Sequence, residues 1–137
     1  MNRTVGWATV AVGIAIGMVM GLWSFDGPFA PPAWVGEYGD TSRRLLRLGH
    51  IAFIALGLIN VMVETELARS ALAPPTRRLA ARLMTAGNIL LPVTLCAAAA
   101  WRPLKYLMSP PAMCVFIALV LVAWGARRPL AGGTAHD

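Results

Sequence analysis

The stretch that decides the fold is Val5–Phe25, VGWATVAVGIAIGMVMGLWSF. It is almost wholly apolar, and a helix of about 20 residues, rising about 1.5 Å per residue, crosses the hydrocarbon core of a bilayer. Three further apolar stretches follow, at Leu48–Val63, Leu83–Trp101 and Leu107–Ala126. The sequence therefore predicts an all-α integral membrane protein whose four transmembrane helices run up and down and are joined by short loops.

Composition agrees with this fold class, since 58% of the residues are hydrophobic and only 13% are charged. The first stretch is expected to remain as a helix rather than to be cleaved as a signal peptide, because its apolar run is long and no small-x-small site precedes Asp26. We predict one transmembrane domain covering 1–137, with no catalytic domain outside the membrane. Its spans are predicted at residues 5–25, 44–66, 77–101 and 109–127.

The basic residues, which give a net charge of +6, lie at the ends of the apolar stretches. This distribution favours contact with lipid headgroups and does not favour nucleic acid as a partner. It also predicts that both termini are cytoplasmic, in a bacterial inner membrane. The side of the termini carries seven of these residues, namely Arg3, Arg69, Arg77, Arg78, Arg82, Arg127 and Arg128, and the other side carries five, namely Arg43, Arg44, Arg47, Arg102 and Lys105.

The first helix contains an uninterrupted GxxxGxxxG motif formed by Gly13, Gly17 and Gly21. Glycines four residues apart lie on one helix face, where they let another backbone approach closely. We predict a packing face here, used either within this bundle or by another subunit or a flat cofactor.

The second helix is the most polar span. His50, Gly57 and Glu64 are seven residues apart and so share one face, and Asn60 lies on the same face. Buried polar side chains need partners, so this face is predicted to point into the bundle or toward a ligand. In the third helix Pro92 follows Asn88 by four residues, and we expect a kink that frees the Asn88 carbonyl.

Turn and capping residues mark the connections. The prolines of the segment 24–42 discourage a helix there, and Asp40, Thr41 and Ser42 are suited to cap the second helix. Pro74 and Pro75 are predicted to end one helix, with Thr76 capping the next. Ser109 is predicted to cap the fourth helix, with proline in its first turn.

His50 is the one histidine within a predicted span, and neutral imidazole is a common axial ligand of haem iron and of other tetrapyrrole metals. Arg43, Arg44 and Arg47 could hold propionates or another anionic group beside it. The stretch Arg47-Leu48-Gly49-His50 resembles, at the level of the fold, small haem- or quinone-associated membrane subunits. Two other interpretations stay open, namely a structural hydrogen bond by His50 or a role in proton transfer.

Other reactive residues have simpler expected roles. Glu64 either carries a proton or reaches the headgroups and pairs with Arg69 or Arg82. Cys96 and Cys114 are predicted to be unlinked thiols, because free cysteine behaves well as a small buried apolar residue. Neither belongs to a CxxC motif, so a thiol–disulfide enzyme is not expected. Phosphate-binding glycine loops and the common hydrolase and zinc motifs do not occur in the sequence.

We interpret the chain as a non-catalytic membrane subunit of a larger respiratory or photosynthetic electron-transfer assembly. Its partners would be other integral membrane subunits and lipids. The candidate cofactor-binding residues are His50, Arg47, Asn60 and Asn88, and the group contacted jointly with a partner would be haem, bacteriochlorophyll or a quinone. The alternative is a small homo-oligomeric transporter or channel that uses His50, Asn60, Glu64 and Asn88 to line a path.

Overall fold

A computed structural model describes residues 2–24 and 27–127. Within these residues the fold is all-α, as predicted, with α1 at Asn2–Gly21, α2 at Thr41–Arg69, α3 at Pro74–Ala100 and α4 at Ser109–Ala126. A 3-10 helix at Arg102–Met108 leads directly into α4. Four spans of the described residues are long and apolar enough to cross a membrane, the fourth formed by the 3-10 helix and α4 together.

The helices pack side by side in chain order. α1 packs on α2, α2 on α3 and α3 on α4, whereas the diagonal contacts of α1 with α3 and of α2 with α4 are smaller. α1 and α4 therefore lie at the two ends of the row. We call the end of the bundle that holds Arg69 and Pro74 the terminal side, and the end that holds the segment 27–40 and the 3-10 helix the loop side.

α1 and α2 approach to backbone contact at one pair of glycines. A Cβ built on Gly6 would lie 2.7 Å from the carbonyl oxygen of Gly57, and a Cβ built on Gly57 would lie 2.7 Å from the carbonyl oxygen of Gly6. Helices in lipid gain little from hydrophobic burial against each other, so their association depends on such close packing and on hydrogen bonds. The contact fixes how deeply α1 sits against α2.

The predicted glycine motif is used mainly inside the bundle. Gly13 faces Phe53 and the carbonyl oxygen of His50, and Gly17 faces the His50 ring. Gly21, by contrast, has no described neighbour within 4 Å of where its Cβ would be. Gly6, Gly13 and Gly17 thus lie on the α2 side of α1, together with Thr9 and Val10, which face Gly57.

Glycines also mark the other helix contacts. Gly49 of α2 lies against the sulfur of Cys96 in α3, and Gly87 of α3 lies 2.9 Å, measured from an ideal Cβ, from the carbonyl oxygen of Pro111 in α4. Cys96 and Cys114 are both free thiols, as predicted. Each neighbouring pair of helices therefore meets where one partner lacks a side chain.

Several predicted boundaries and caps are wrong, for local reasons. α1 ends at Gly21, because the amides of Leu22, Trp23 and Ser24 donate to carbonyls three residues earlier and tighten the chain out of the α-helix. The predicted end at Phe25 lies outside the described residues, as do Asp26, Arg128 and the tail that follows. α3 begins at Pro74 rather than after Thr76, since proline needs no hydrogen bond to its nitrogen in a first turn.

Asp40 and Ser109 also differ from their predicted roles. Asp40 occupies the N-cap position of α2, but its carboxylate accepts a hydrogen bond from the backbone amide of Glu37, 2.8 Å away, instead of capping the helix. Ser109 is the first residue of α4 and makes no capping bond, because the preceding 3-10 helix continues the chain into α4. The 3-10 helix itself was not predicted.

The glycine contact between α1 and α2 leads to a first prediction. Gly57→Ala should destabilise the protein by about 1–3 kcal/mol, because the new methyl group would overlap α1 backbone and Thr9. In the matched control, Gly21→Ala, the new methyl group has no neighbour within 4 Å among the described residues, and stability should change by less than about 0.5 kcal/mol. Thermal unfolding in mild detergent, followed by circular dichroism, measures both. Equal effects of the two substitutions would contradict this contact.

Candidate functional site

His50 lies on α2 where that helix faces α1. A Cβ built on Gly17 would be 3.0 Å from the ring Cδ2 and 3.3 Å from Nε2, so the imidazole fills the space that this glycine leaves. The side chain is half-buried. Its Nε2 edge therefore lies at the seam between α1 and α2 rather than in a closed cavity.

The hydrogen bond of His50 determines its tautomer. Nδ1 lies 3.1 Å from the backbone carbonyl oxygen of Arg47, one turn earlier in α2. Because a carbonyl oxygen only accepts, Nδ1 carries a proton and donates it, and the neutral tautomer that fits this bond has its lone pair on Nε2. Histidines that ligate metals commonly donate their other N–H to such an acceptor. His50 is thus held in the tautomer that suits a tetrapyrrole metal or the hydroxyl of a quinol.

An apolar pocket of about 300 Å³ lies between α1, α2 and the loop segment, and His50 is not among its lining residues. Leu46 lines it from α2, four residues before His50, and Ile16 lines it from α1, next to Gly17. The rest of the lining comes from the end of α1 and from the loop segment: Ala15, Val19, Met20, Trp23 and Trp34. This volume is at the small end of the range for ligand pockets, and it fits one ring-sized apolar group.

Arg43 of α2 bonds to the turn that follows α1, on the loop side of the bundle. Its guanidinium donates to the carbonyl oxygen of Trp23 at 3.0 Å and to the hydroxyl of Ser24 at 3.3 Å, and the side chain is only 7% exposed. The predicted role of holding propionates would require this guanidinium to be free. Its bonds instead join the start of α2 to the end of α1.

Arg47 of α2 contacts Tyr38 of the loop segment. Arg47 donates to the Tyr38 carbonyl oxygen at 3.3 Å, and its guanidinium carbon lies 4.2 Å from the centre of the Tyr38 ring. Arg43 lies 5.4 Å from the same ring centre. Cation–π contacts of this kind add to the hydrogen bonds. Two of the three arginines that were expected to bind a cofactor's acids are therefore engaged by the protein itself, and the third, Arg44, is exposed.

Asn88 belongs to a polar contact at the centre of the bundle. The Thr9 hydroxyl donates to the carbonyl oxygen of Gly6 at 2.8 Å and accepts from Nδ2 of Asn88 at 3.2 Å. A hydroxyl has one proton, so while Thr9 donates to Gly6 it does not also donate to Oδ1 of Asn88, 3.3 Å away, and the bond between the two side chains is the one from Nδ2. Asn60, one turn beyond Gly57 in α2, is likewise fully buried. Asn60 and Asn88 thus lie in the packed centre, away from the apolar pocket between α1, α2 and the loop segment.

Glu64 lies far from His50, although both belong to the predicted polar stripe. Fourteen residues of α-helix separate them along α2, which is about 21 Å. Glu64 shares one pocket with Arg77, Arg78 and Arg82, and a second with Arg3 and Arg69. The structure therefore divides the predicted stripe into three separate environments: a ring against α1, a buried amide, and a carboxylate among arginines.

Two residues at this site were not predicted. Thr9 looked like one more small residue of an apolar helix, and only the approach of α3 makes it a partner of Asn88. The indole Nε1 of Trp23 is buried and has no hydrogen-bond partner among the described residues. Across those residues, no group of three or more His, Cys, Asp and Glu side chains could hold a metal ion.

The bond between Thr9 and Asn88 can be tested with a double-mutant cycle. Thr9→Val and Asn88→Leu should each destabilise the protein, and the double variant should lose less than the sum of the two. The expected coupling is about 0.6–1.7 kcal/mol, the range for hydrogen bonds between membrane helices. Unfolding free energies measured in detergent give the cycle. Full additivity would mean that the two side chains do not interact.

The role of Arg43 gives another prediction. In Arg43→Gln the amides of residues 27–40 should exchange hydrogen about tenfold faster, because the charged hydrogen bonds to Trp23 and Ser24 are lost. Hydrogen–deuterium exchange mass spectrometry measures this effect. Arg44→Gln removes the same charge from an exposed neighbour and serves as the control. Unchanged exchange in Arg43→Gln, or equal acceleration in both variants, would contradict the role of Arg43.

Comparison with known proteins leaves the chain without an assigned family. No family model, no curated protein and no solved structure matches it. Any function assigned to the chain therefore has to come from its sequence and from the placement of its side chains.

Proposed function

We propose that the chain is a non-catalytic integral membrane subunit of a larger electron-transfer complex, in which His50 contacts a quinone or a tetrapyrrole shared with a partner subunit. The observation that carries the proposal is the hydrogen bond from Nδ1 of His50, which leaves Nε2 facing Gly17 at the seam of α1 and α2. An apolar pocket on the same two helices, lined by Leu46 and Ile16, adds support. A quinone ring or the edge of a tetrapyrrole is apolar and flat, and either group needs few polar contacts in its site. When bound, such a group supplies the redox chemistry.

The surroundings of His50 favour some of these groups over others. Nε2 offers a lone pair at the seam of α1 and α2, where a ligand can arrive from the exposed edge. Arg43 and Arg47 are engaged by the loop, so a haem bound here would need other partners for its propionates. A quinol, or a pigment without acidic groups, therefore fits the site better than a haem does. The role of His50 would be to accept a hydrogen bond or to ligate, and that of the pocket to exclude water.

The loop segment 27–40 supports the presence of a partner subunit. Val35 is fully buried and packs with Met20 and Leu46, so the segment is fixed to the bundle. Phe29, Trp34 and Tyr38 are nevertheless more than half exposed. Large aromatic side chains on a rigid surface are typical of the central contacts of protein interfaces and also of membrane–water boundaries.

The row arrangement of the helices supports the same proposal. α4 lies at one end of the row, and exposed apolar residues such as Met113, Phe116 and Val120 follow its whole length. A subunit that joins a larger membrane complex can use such a face for a neighbour as well as for lipid. The excess of Lys and Arg on the terminal side, seven against five, supports our assignment of that side to the cytoplasm of a bacterial inner membrane.

The alternative, a small transporter, has less support. A path for a solute needs polar groups along the length of the bundle. Here Thr9 and Asn88 bond to each other between helices, and Asn60 is fully buried in the same packed centre. These polar groups serve helix association within one copy of the chain.

The proposal predicts the subunits and the cofactor that purify with this protein, and the absorbance spectrum of the purified sample. The protein, purified in mild detergent from its native membrane, should elute together with larger subunits and with a quinone or pigment. His50→Ala should reduce that cofactor by at least about 10–100-fold per chain, because loss of merely an outer-shell partner of a metal ligand already costs that much. Mass spectrometry, absorbance and quinone extraction on one chromatographic peak provide the readouts.

The control for this experiment is Leu48→Ala, an exposed residue near His50 on the same helix. It should keep both the partners and the cofactor. Unchanged cofactor content in His50→Ala would remove His50 from the site. A peak that contains only this chain, without cofactor, would overturn the proposal in favour of a homo-oligomeric transporter.

A further inference from the structure

A second pocket, of about 490 Å³, opens between α2 and α3 on the terminal side. Arg77, Arg78 and Arg82 of α3 line it together with Glu64 of α2, which gives a formal net charge of +2. The remaining lining residues are apolar: Leu67, Ala68 and Ala81. The pocket is thus basic on one wall and apolar on its floor, and it lies about 21 Å along α2 from His50.

The arginines lie where positive charge is locally unfavourable. α3 begins at Pro74 and has no acidic residue in its first turn, while the N-terminal end of a helix carries a partial positive charge. Arg78 and Arg82 are four residues apart, so they are neighbours on the helix surface and repel each other. Arg77 adds a third positive charge to the same pocket. An anion bound between these side chains would offset the partial positive charge of the helix end, the repulsion between Arg78 and Arg82, and the added charge of Arg77.

The depth of the pocket indicates where that anion comes from. Arg82 precedes the end of α3 at Ala100 by 18 residues, and Arg3 precedes the end of α1 at Gly21 by the same number. Eighteen residues of helix span about 27 Å, close to the thickness of the hydrocarbon core. Arg3 and Glu64 line one pocket, so they lie at one level. That level is the boundary between hydrocarbon and headgroups.

We infer that this pocket binds the phosphodiester headgroup of an anionic phospholipid such as phosphatidylglycerol. Guanidinium groups donate paired hydrogen bonds to phosphate oxygens, and basic pockets between transmembrane helices hold phospholipid headgroups in this way. Leu67 and the two alanines provide an apolar surface for the glycerol backbone and the first methylenes of the acyl chains. This binding is independent of any cofactor at His50.

Native mass spectrometry of the purified protein in detergent, titrated with phosphatidylglycerol, tests the inference. Phosphatidylglycerol should bind more tightly than phosphatidylcholine. Arg78→Gln combined with Arg82→Gln should weaken binding of phosphatidylglycerol about 25-fold, because each arginine near a headgroup contributes a factor of about five. The control pair, Arg102→Gln with Lys105→Gln, removes the same charge from exposed positions on the loop side and should stay within about twofold of the parent protein.

A gain of binding provides a check that misfolding cannot imitate. Glu64→Gln removes the one negative charge of the pocket and should strengthen phosphatidylglycerol binding about fivefold. Equal weakening of phosphatidylglycerol binding in the Arg78/Arg82 double variant and in the Arg102/Lys105 double variant would overturn the inference. General attraction of the lipid to a positive surface would then explain the binding. Displacement of the lipid by inorganic phosphate would overturn it in favour of a site for free phosphate.

Discussion

The close approach of α1 to α2 at Gly6 and Gly57 is the contact on which the rest of the structure depends. Because neither residue has a side chain, each Cα faces a carbonyl oxygen of the other helix. This proximity brings Thr9 to the centre of the bundle, where its hydroxyl meets Asn88 of α3. It also brings Gly17 against the His50 ring. One short backbone contact thus sets the polar centre and the environment of the histidine.

The polar residues of the membrane-spanning helices serve different purposes at different depths. In the centre, Thr9 and Asn88 hold α1 to α3, as expected where lipid offers no competing hydrogen bonds. On the loop side, Arg43 and Arg47 hold the segment 27–40 against the helices, so charged side chains there act on the protein itself. On the terminal side, the arginines of α3 line a pocket with Glu64, for which we propose a lipid headgroup as ligand. Contacts between helices, contacts with the loop and the basic pocket therefore lie at different levels along the bundle.

The sequence singled out His50 as the residue around which the candidate site is proposed, and it gave little of the geometry there. A single histidine in an apolar span stands out, because burying a polar group needs a reason. Its neighbours were harder to interpret: Arg43 and Arg47 looked available for an anionic ligand, because the loop that precedes them has no regular pattern from which its fold back onto α2 could be predicted. Spacing alone also grouped His50, Asn60 and Glu64 on one face. It could not show that His50 faces α1, that Asn60 is fully buried, and that Glu64 lies among arginines.

The sequence by itself determined the class of fold and the number of spans, because a bilayer demands about 20 apolar residues in a helix and little else satisfies that demand. It also determined where close helix contacts could form, through the positions of its glycines. The tertiary structure alone decided which glycines are used, that Gly21 is not among them, and that the helices pack in a row. These choices depend on the relative depth and rotation of helices, which are set by contacts between residues far apart in the chain, such as Gly6 with Gly57 and Thr9 with Asn88.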